Sequence, residues 1–245
     1  MLRWSVAGVT DCGSVRKTNE DSFFISPDKR VFAVGDGMGG SGRGEQASAM
    51  TMAAIEGLWR EGQPNSDMDE VKNWMVEAIS RANKCVLQAN LDHSHPSGST
   101  VVLAIPFSDG RIAISHVGDS RAYRIRAERA ELLTSDHTLL NEMIKAGKIT
   151  AEQVRHTSCG KKLLLRAIGH VETVDIEQQD FQLKPKDTIL LCTDGLSYEL
   201  DDEEIAVNGR MEDPVVACEN LLRSAIDNGA PDNVTVIAIH CFEAE

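Results

Sequence analysis

The sequence predicts an α+β protein in which sheet packs on sheet. About nine short runs rich in β-branched residues recur along its 245 residues, too many for a helical bundle. Most of these runs follow one another directly through tight turns such as Ser108-Asp109-Gly110, which favours antiparallel hairpins over βαβ crossovers. Helical periodicity is confined to a few separate blocks.

In chain order, strands are expected at Trp4–Thr10, Ser22–Ser26 and Arg30–Gly35. Two helices follow, Gly44–Arg60 and Asp67–Leu91, the second setting Val71, Met75, Ala78, Ile79, Ala82 and Val86 on one face. The linker Glu61-Gly62-Gln63-Pro64-Asn65-Ser66 separates them and offers Ser66 as an N-cap. Strands resume at Thr100–Phe107, Arg111–Val117 and Ala122–Arg126. Residues 137–170 differ: an amphipathic helix Thr138–Ala146, a Gly147 C-cap, a second start at Thr150-x-x-Gln153, then a polar loop His156–Lys162. This pattern reads as a surface flap between strands. Strands Val174–Phe181 and Asp187–Cys192, a helix Pro214–Asn228 and a strand Asn233–Cys241 complete a single domain, 1–245.

Composition sets the outer bounds. Lys and Arg number 25 against 38 Asp and Glu, a formal net charge of −13 that suits neither a nucleic-acid backbone nor an anionic membrane surface. No run approaches the roughly 18 apolar residues of a membrane helix, and the N-terminus runs straight into a strand, so a soluble protein without an export signal is expected. Cys12, Cys85, Cys159, Cys192, Cys218 and Cys241 are scattered without zinc-site spacing, which fits a reducing cytoplasm.

The chemistry is signalled by a repeated grammar in which an apolar run ends in aspartate. Val31 to Val34 leads to Gly35-Asp36-Gly37, Ile112 to Val117 leads to Gly118-Asp119, and Ile189 to Cys192 leads to Thr193-Asp194-Gly195. Asp232 stands just before the run Val234 to Ile239. Carboxylates at the ends of buried strands repel one another, so several gathered in one place require cations, and oxygen ligands without His or Cys point to Mg²⁺ or Mn²⁺. Each Asp-Gly taken alone reads equally as a turn. Arg16-Lys17-Thr18-Asn19-Glu20-Asp21 adds a cation that can clamp a phosphate, or merely a surface ion pair. Gly37-Met38-Gly39-Gly40-Ser41-Gly42 matches the dinucleotide pattern formally, but Asp36 would repel a pyrophosphate and no regular βαβ series follows.

Taken as an ordered set, Arg16-x-x-Asn19-Glu20-Asp21, Asp36-Gly37-Met38-Gly39-Gly40, Gly98-Ser99-Thr100, Gly118-Asp119-Ser120-Arg121, Asp136-His137, Thr193-Asp194-Gly195 and Asp232-Asn233-Val234-Thr235 resemble the metal-dependent protein serine/threonine phosphatases of type 2C, in their compact bacterial form. The resemblance spans nearly the whole chain. It implies a four-layer α-β-β-α sandwich of two mostly antiparallel sheets flanked by helices, with a two-metal centre in a cleft at one end and the flap at 137–170. It also implies that Asp36 bridges two Mn²⁺ or Mg²⁺ ions, that Asp194 and Asp232 hold one of them, and that the Gly37 carbonyl holds the other. Glu20 and Asp21 would bind metal-coordinated waters or support the ligands, Asn233 would lie just outside them, and Arg16 would hold the substrate phosphate. Asp119 with Asp194 matches the place of a weaker third metal.

The reaction so implied is hydrolysis of phosphoserine and phosphothreonine on proteins, without a phospho-enzyme. Two ions about 3.5–4 Å apart would make a bridging hydroxide for in-line attack and neutralise the phosphoryl oxygens. The expected partners are phosphorylated proteins, those of a cognate Ser/Thr kinase among them, and the expected state is a monomer. Two departures stand out: Met38, where many eukaryotic members carry His, cannot donate a proton, and Tyr198 occupies a position where the family often has a third-metal carboxylate. The alternative is a catalytically silent phosphoprotein-binding domain on the same fold. His93-Ser94-His95, His137, Cys192 and the basic group Lys161, Lys162 and Arg166 read chiefly as structural or surface residues.

Overall fold

The computed structural model describes residues 1–39, 42–64, 67–91, 94, 96–150 and 163–244. The strands are β1 (Leu2–Asp11), β2 (Asp21–Ile25), β3 (Phe32–Met38), β4 (Gly98–Ser99), β5 (Val101–Pro106), β6 (Arg111–Val117), β7 (Arg121–Arg126), β8 (Arg129–Leu132), β9 (Glu177–Gln182), β10 (Thr188–Cys192) and β11 (Val234–Glu243). The helices are α1 (Arg43–Glu61), α2 (Met68–Asn90), α3 (Leu139–Lys145), α4 (Asp194–Ser197), α5 (Asp202–Gly209) and α6 (Pro214–Asp227).

One sheet runs β1-β11-β10-β7-β8 and the other β2-β3-β5-β6-β9, with β4 paired to β3. The pairings are antiparallel, as the hairpin-like spacing predicts. Period-two alternation explains why the strand sequences are apolar on both faces. On β10, Ile189 and Leu191 enter the core between the sheets, while Leu190 and Cys192 pack toward α6. On β3, Phe32 and Val34 face that same inter-sheet core, and Ala33 turns toward α1 and α2. Both sheets are therefore covered twice, and the layers read helix, sheet, sheet, helix.

The apolar face foreseen on α2 is wholly buried from Val71 to Val86. Its N-cap is Asp67, whose carboxylate accepts the backbone N–H groups of Asp69 and Glu70 at 3.0 and 3.1 Å; the expectation for Ser66 is thus corrected, Ser66 itself lying outside the described residues. α3 follows its expected course, with Thr138 Oγ1 accepting from Asn141 N–H and Gly147 left-handed at φ 66° just beyond its end. Gln153 and the loop His156–Lys162 lie outside the described residues. The strand expected from Val174 begins only at Glu177. β4, β8, α4 and α5 were not anticipated. No helix among the described residues is long and apolar enough to cross a membrane.

Candidate metal centre

The site is built where strand ends of both sheets meet. β2 and β3 pair in a register that sets Asp21 opposite Asp36. Gly37 N–H donates to the Glu20 carbonyl at 3.0 Å, which brings Glu20 to the same edge. Thr100, between β4 and β5, locks Asp36: its Oγ1 accepts from Asp36 N–H at 2.9 Å, and its own N–H donates to the Asp36 carbonyl at 2.8 Å. The Thr100 hydroxyl also meets Ser120 Oγ at 2.6 Å, fastening the turn that carries Asp119.

From the other sheet come Asp194, in the first turn of α4, and Asp232, just before β11. Thr193 N–H donates to the Thr235 carbonyl at 3.1 Å and Thr235 N–H to Thr193 Oγ1 at 3.0 Å, so the two chain ends are tied together. Both threonine hydroxyls then donate to Asp21 Oδ2, at 2.8 and 2.7 Å, across the gap between the sheets. Asn233 acts as a second tie: its Nδ2 donates to the carbonyls of Cys12 and Thr18 at 2.9 Å each, and its Oδ1 accepts from Glu20 N–H at 2.8 Å.

The result is a cleft of about 240 Å³ lined by Arg16, Glu20, Asp36, Gly37, Asp119, Asp194, Asp232 and Asn233, with Met38, Gly39 and Leu164 at its edge. All the sequence-predicted site residues line it except Asp21, which is 7% exposed and lies beneath. Leu164 was missed, and Thr100, Ser120, Thr193 and Thr235 were read as motif members without a supporting role. A threonine directly before Asp194 and another just after Asp232-Asn233-Val234 were the available signals.

The glycines after Asp36 and Asp194 are not turn residues. Gly37 sits in β3 and Gly195 in α4, and a Cβ on either would lie 2.0 Å from a backbone oxygen, of Gly44 or of Asn233 respectively. Their role is close approach rather than a left-handed turn. Within the Gly37–Gly42 stretch, Gly37 and Met38 are paired with Ser99 and Gly98 in β4, and Gly40 and Ser41 lie outside the described residues.

Electrostatics at the cleft are strained by like charge. Loss of hydration, reinforced by Asp194, Asp21, Asp119 and Asp232, holds the Asp36 carboxyl well above the usual carboxylate range. Burial first, and then neighbouring aspartates, pushes Asp21 and Asp119 up to about 7. Among the described residues the one ion pair within the cleft joins Arg16 Nη2 to Asp232 Oδ2 at 2.9 Å, and Arg16, whose pKa Asp232 raises further, stays half exposed at the mouth. Asp21 Oδ1, fully buried, finds no hydrogen-bond partner among the described residues. An all-oxygen donor set with excess negative charge fits hard divalent cations of the Mg²⁺ or Mn²⁺ type. Tyr198, standing where a third-metal carboxylate was expected, instead donates its hydroxyl to Asp119 Oδ2 at 3.4 Å.

Elsewhere, Cys192 is fully buried with its thiol pushed up to about 12 by burial, an inert core residue. His93 and His95, like Lys161 and Lys162, lie outside the described residues, and Arg166 is paired with Asp175 at 2.8 Å.

Two helix-flanked antiparallel sheets that bring hard oxygen ligands to one cleft define the class of metal-dependent phosphoprotein phosphatases. The family model of protein phosphatase 2C matches residues 12–226, and the chain belongs to that family. It is 31% identical over 237 residues to the serine/threonine phosphatase stp of Listeria innocua, covering 94% of this chain and 93% of that one. Among solved structures it resembles the S. agalactiae serine/threonine phosphatase with a TM-score of 0.90 and 29% identity, over 98% of this chain and all of the other (100%). It also resembles the catalytic domain of the serine/threonine protein phosphatase PstP in complex with two manganese ions, at a TM-score of 0.85 and 29% identity, over 99% and 100% of the two chains. The chain is a metal-dependent protein phosphatase, and its substrates are phosphoproteins.

Proposed function

We propose that this chain hydrolyses phosphoserine and phosphothreonine in proteins at the carboxylate cleft, with Asp36, Asp194, Asp232 and the Gly37 carbonyl as the groups that would hold two Mn²⁺ or Mg²⁺ ions. The observation that carries the reading is the convergence of Asp36, Asp119, Asp194 and Asp232, from both sheets, on one 240 Å³ cleft with Arg16 at its mouth. When bound, such ions supply Lewis-acid charge that acidifies water and offsets the phosphoryl oxygens.

The chain's own residues have distinct tasks in this scheme. Arg16 binds and orients the substrate phosphate through its planar guanidinium. Glu20 faces the cleft and accepts hydrogen bonds from water there. Asp21, Thr193, Thr235 and Asn233 hold the carboxylate-bearing chain ends in place. Among its described lining residues the cleft has no Ser, Thr, Cys or His, which supports direct attack by water over a covalent intermediate on those groups. Met38 has no proton to give, so the leaving alkoxide takes its proton from water or from another group. Asp119 has Tyr198 as a hydrogen-bond donor, which weakens a third metal position relative to the other two. We further infer a cytoplasmic monomer acting on proteins phosphorylated by a cognate Ser/Thr kinase.

The test is hydrolysis of p-nitrophenyl phosphate and of a phosphothreonine peptide with Mn²⁺, Mg²⁺ or EDTA. Turnover should require the metal, fall by about 10²-fold or more in Asp194→Ala, and show a raised KM as the main defect of Arg16→Ala. A folded protein inactive with both metals would instead point to a silent phosphoprotein-binding domain.

A further inference from the structure

A second, larger hollow of about 790 Å³ lies beside the cleft, between α3 and the corner joining α4 to α5. Its two sides differ in character. The floor is apolar, made by Tyr123, Leu140, Ile144, Tyr198 and Leu200. No residue of α3 is fully buried, and Leu140 and Ile144 are partly exposed on the side that faces the hollow. The rim is acidic: Glu199, Asp201, Asp202, Glu203 and Glu204.

Part of that rim is held rigidly. Asp201 and Glu204 close a reciprocal capping box at the start of α5, which fixes the backbone that presents Asp202 and Glu203 to solvent. The one cation among the described lining residues, Arg121, is neutralised by a two-pronged pair with Asp136 at 2.8 and 2.7 Å. In the wall, Ser197 is only 8% exposed and its Oγ has no hydrogen-bond partner among the described residues. The hollow adjoins the cleft at Tyr198, which lines the one and hydrogen-bonds Asp119 in the other.

We propose that this groove docks a basic segment of the phosphoprotein substrate, flanking the phosphorylated residue; the proposal rests on the phosphatase reading above. Lys and Arg side chains match it best, because their hydrocarbon stems can cover Leu140, Ile144 and Leu200 while their charged heads reach the carboxylate rim. Charge complementarity selects the occupant: an acidic segment beside the phosphate would meet the exposed carboxylates of Asp202 and Glu203, while Arg121, the one cation among the described lining residues, is already paired with Asp136. The groove thus adds a preference that the cleft, which must accept a dianion, cannot supply.

The experiment compares two phosphothreonine peptides of the same length, one flanked by Arg and Leu and the other by Glu and Leu. Both are assayed with Mn²⁺ at low and high salt, and each rate is divided by the same protein's rate on p-nitrophenyl phosphate. The basic peptide should show kcat/KM about tenfold above the acidic one, mostly through KM, and the gap should narrow as salt screens the rim. In the double variant Asp202→Asn with Glu203→Gln the ratio should shrink to about twofold, and Ile144→Lys should reverse it. Equal kcat/KM for the two peptides, or a preference that survives both variants in folded protein, would overturn the docking proposal alone. Absence of p-nitrophenyl phosphate turnover would overturn the phosphatase reading and the docking proposal with it.

Discussion

His137 joins three parts of the molecule through a single ring. Its Nδ1 accepts the Gly118 N–H at 3.1 Å, next to Asp119, and its Nε2 lies 3.3 Å from Glu177 Oε2 on β9. With Nδ1 accepting, the neutral ring carries its proton on Nε2 and donates it to Glu177. The ring stacks on His116 at 4.6 Å, and Arg166 approaches Nε2 to 3.2 Å. Burial above all, then His116, with Arg166 adding to it and Glu177 opposing, pushes the pKa down to about 4. A histidine whose folded pKa lies below its unfolded value is stabilising as the neutral form. Its contribution is complete above the ordinary value and is lost as pH falls toward the folded one. Denaturant unfolding at a series of pH values should therefore show His137→Gln losing less stability than the parent between about pH 6.5 and 4, by on the order of 3 kcal/mol. Parallel losses in the two proteins would contradict it.

Among the elements, α4 has only four residues, yet it delivers Asp194, and it does so through Gly195. With any Cβ there 2.0 Å from the Asn233 carbonyl, Gly195→Ala must push α4 away from the start of β11. The expected cost is about 2–4 kcal/mol, with activity reduced further than stability because Asp194 and Asp232 separate; thermal unfolding and the phosphatase assay on the same sample check both. α5 was legible but unread: Asp201-x-x-Glu204 is a capping-box signature, and both halves of the box form. β8 was hidden for a physical reason, since as an edge strand it carries Arg129 and Glu131 and is mostly exposed, so it lacks the apolar run that marks the inner strands.

At the scale of the whole molecule the carboxylate cluster is a destabilising feature that divalent cations would relieve. Its members belong to different sheets, Asp21 and Asp36 to one and Asp194 and Asp232 to the strand ends of the other, so repulsion at the cleft works against the packing of sheet on sheet. Saturating Mn²⁺ should accordingly stabilise the entire fold, by about 2.7 kcal/mol at a hundredfold excess over Kd, or roughly 5–10 °C in Tm, and EDTA should reverse it. A Tm indifferent to Mn²⁺ in scanning calorimetry would argue against a metal centre here. The carboxylates that line the cleft were readable from the chain, because aspartate at the end of an apolar run, as at Asp36, Asp119 and Asp194, or just before one, as at Asp232, is a pattern of near neighbours. Strand alternation and the α2 stripe were readable for the same reason, being patterns of neighbours. Long-range pairing was not: that Asp21 lies below the cleft under Thr193 and Thr235, that Tyr198 reaches Asp119, and that α3 and the acidic α4–α5 corner line one hollow depend on contacts between residues up to 214 positions apart. Local order follows from short-range sterics and periodicity, whereas the meeting of distant side chains is decided by how two whole sheets pack, which no window of the sequence contains.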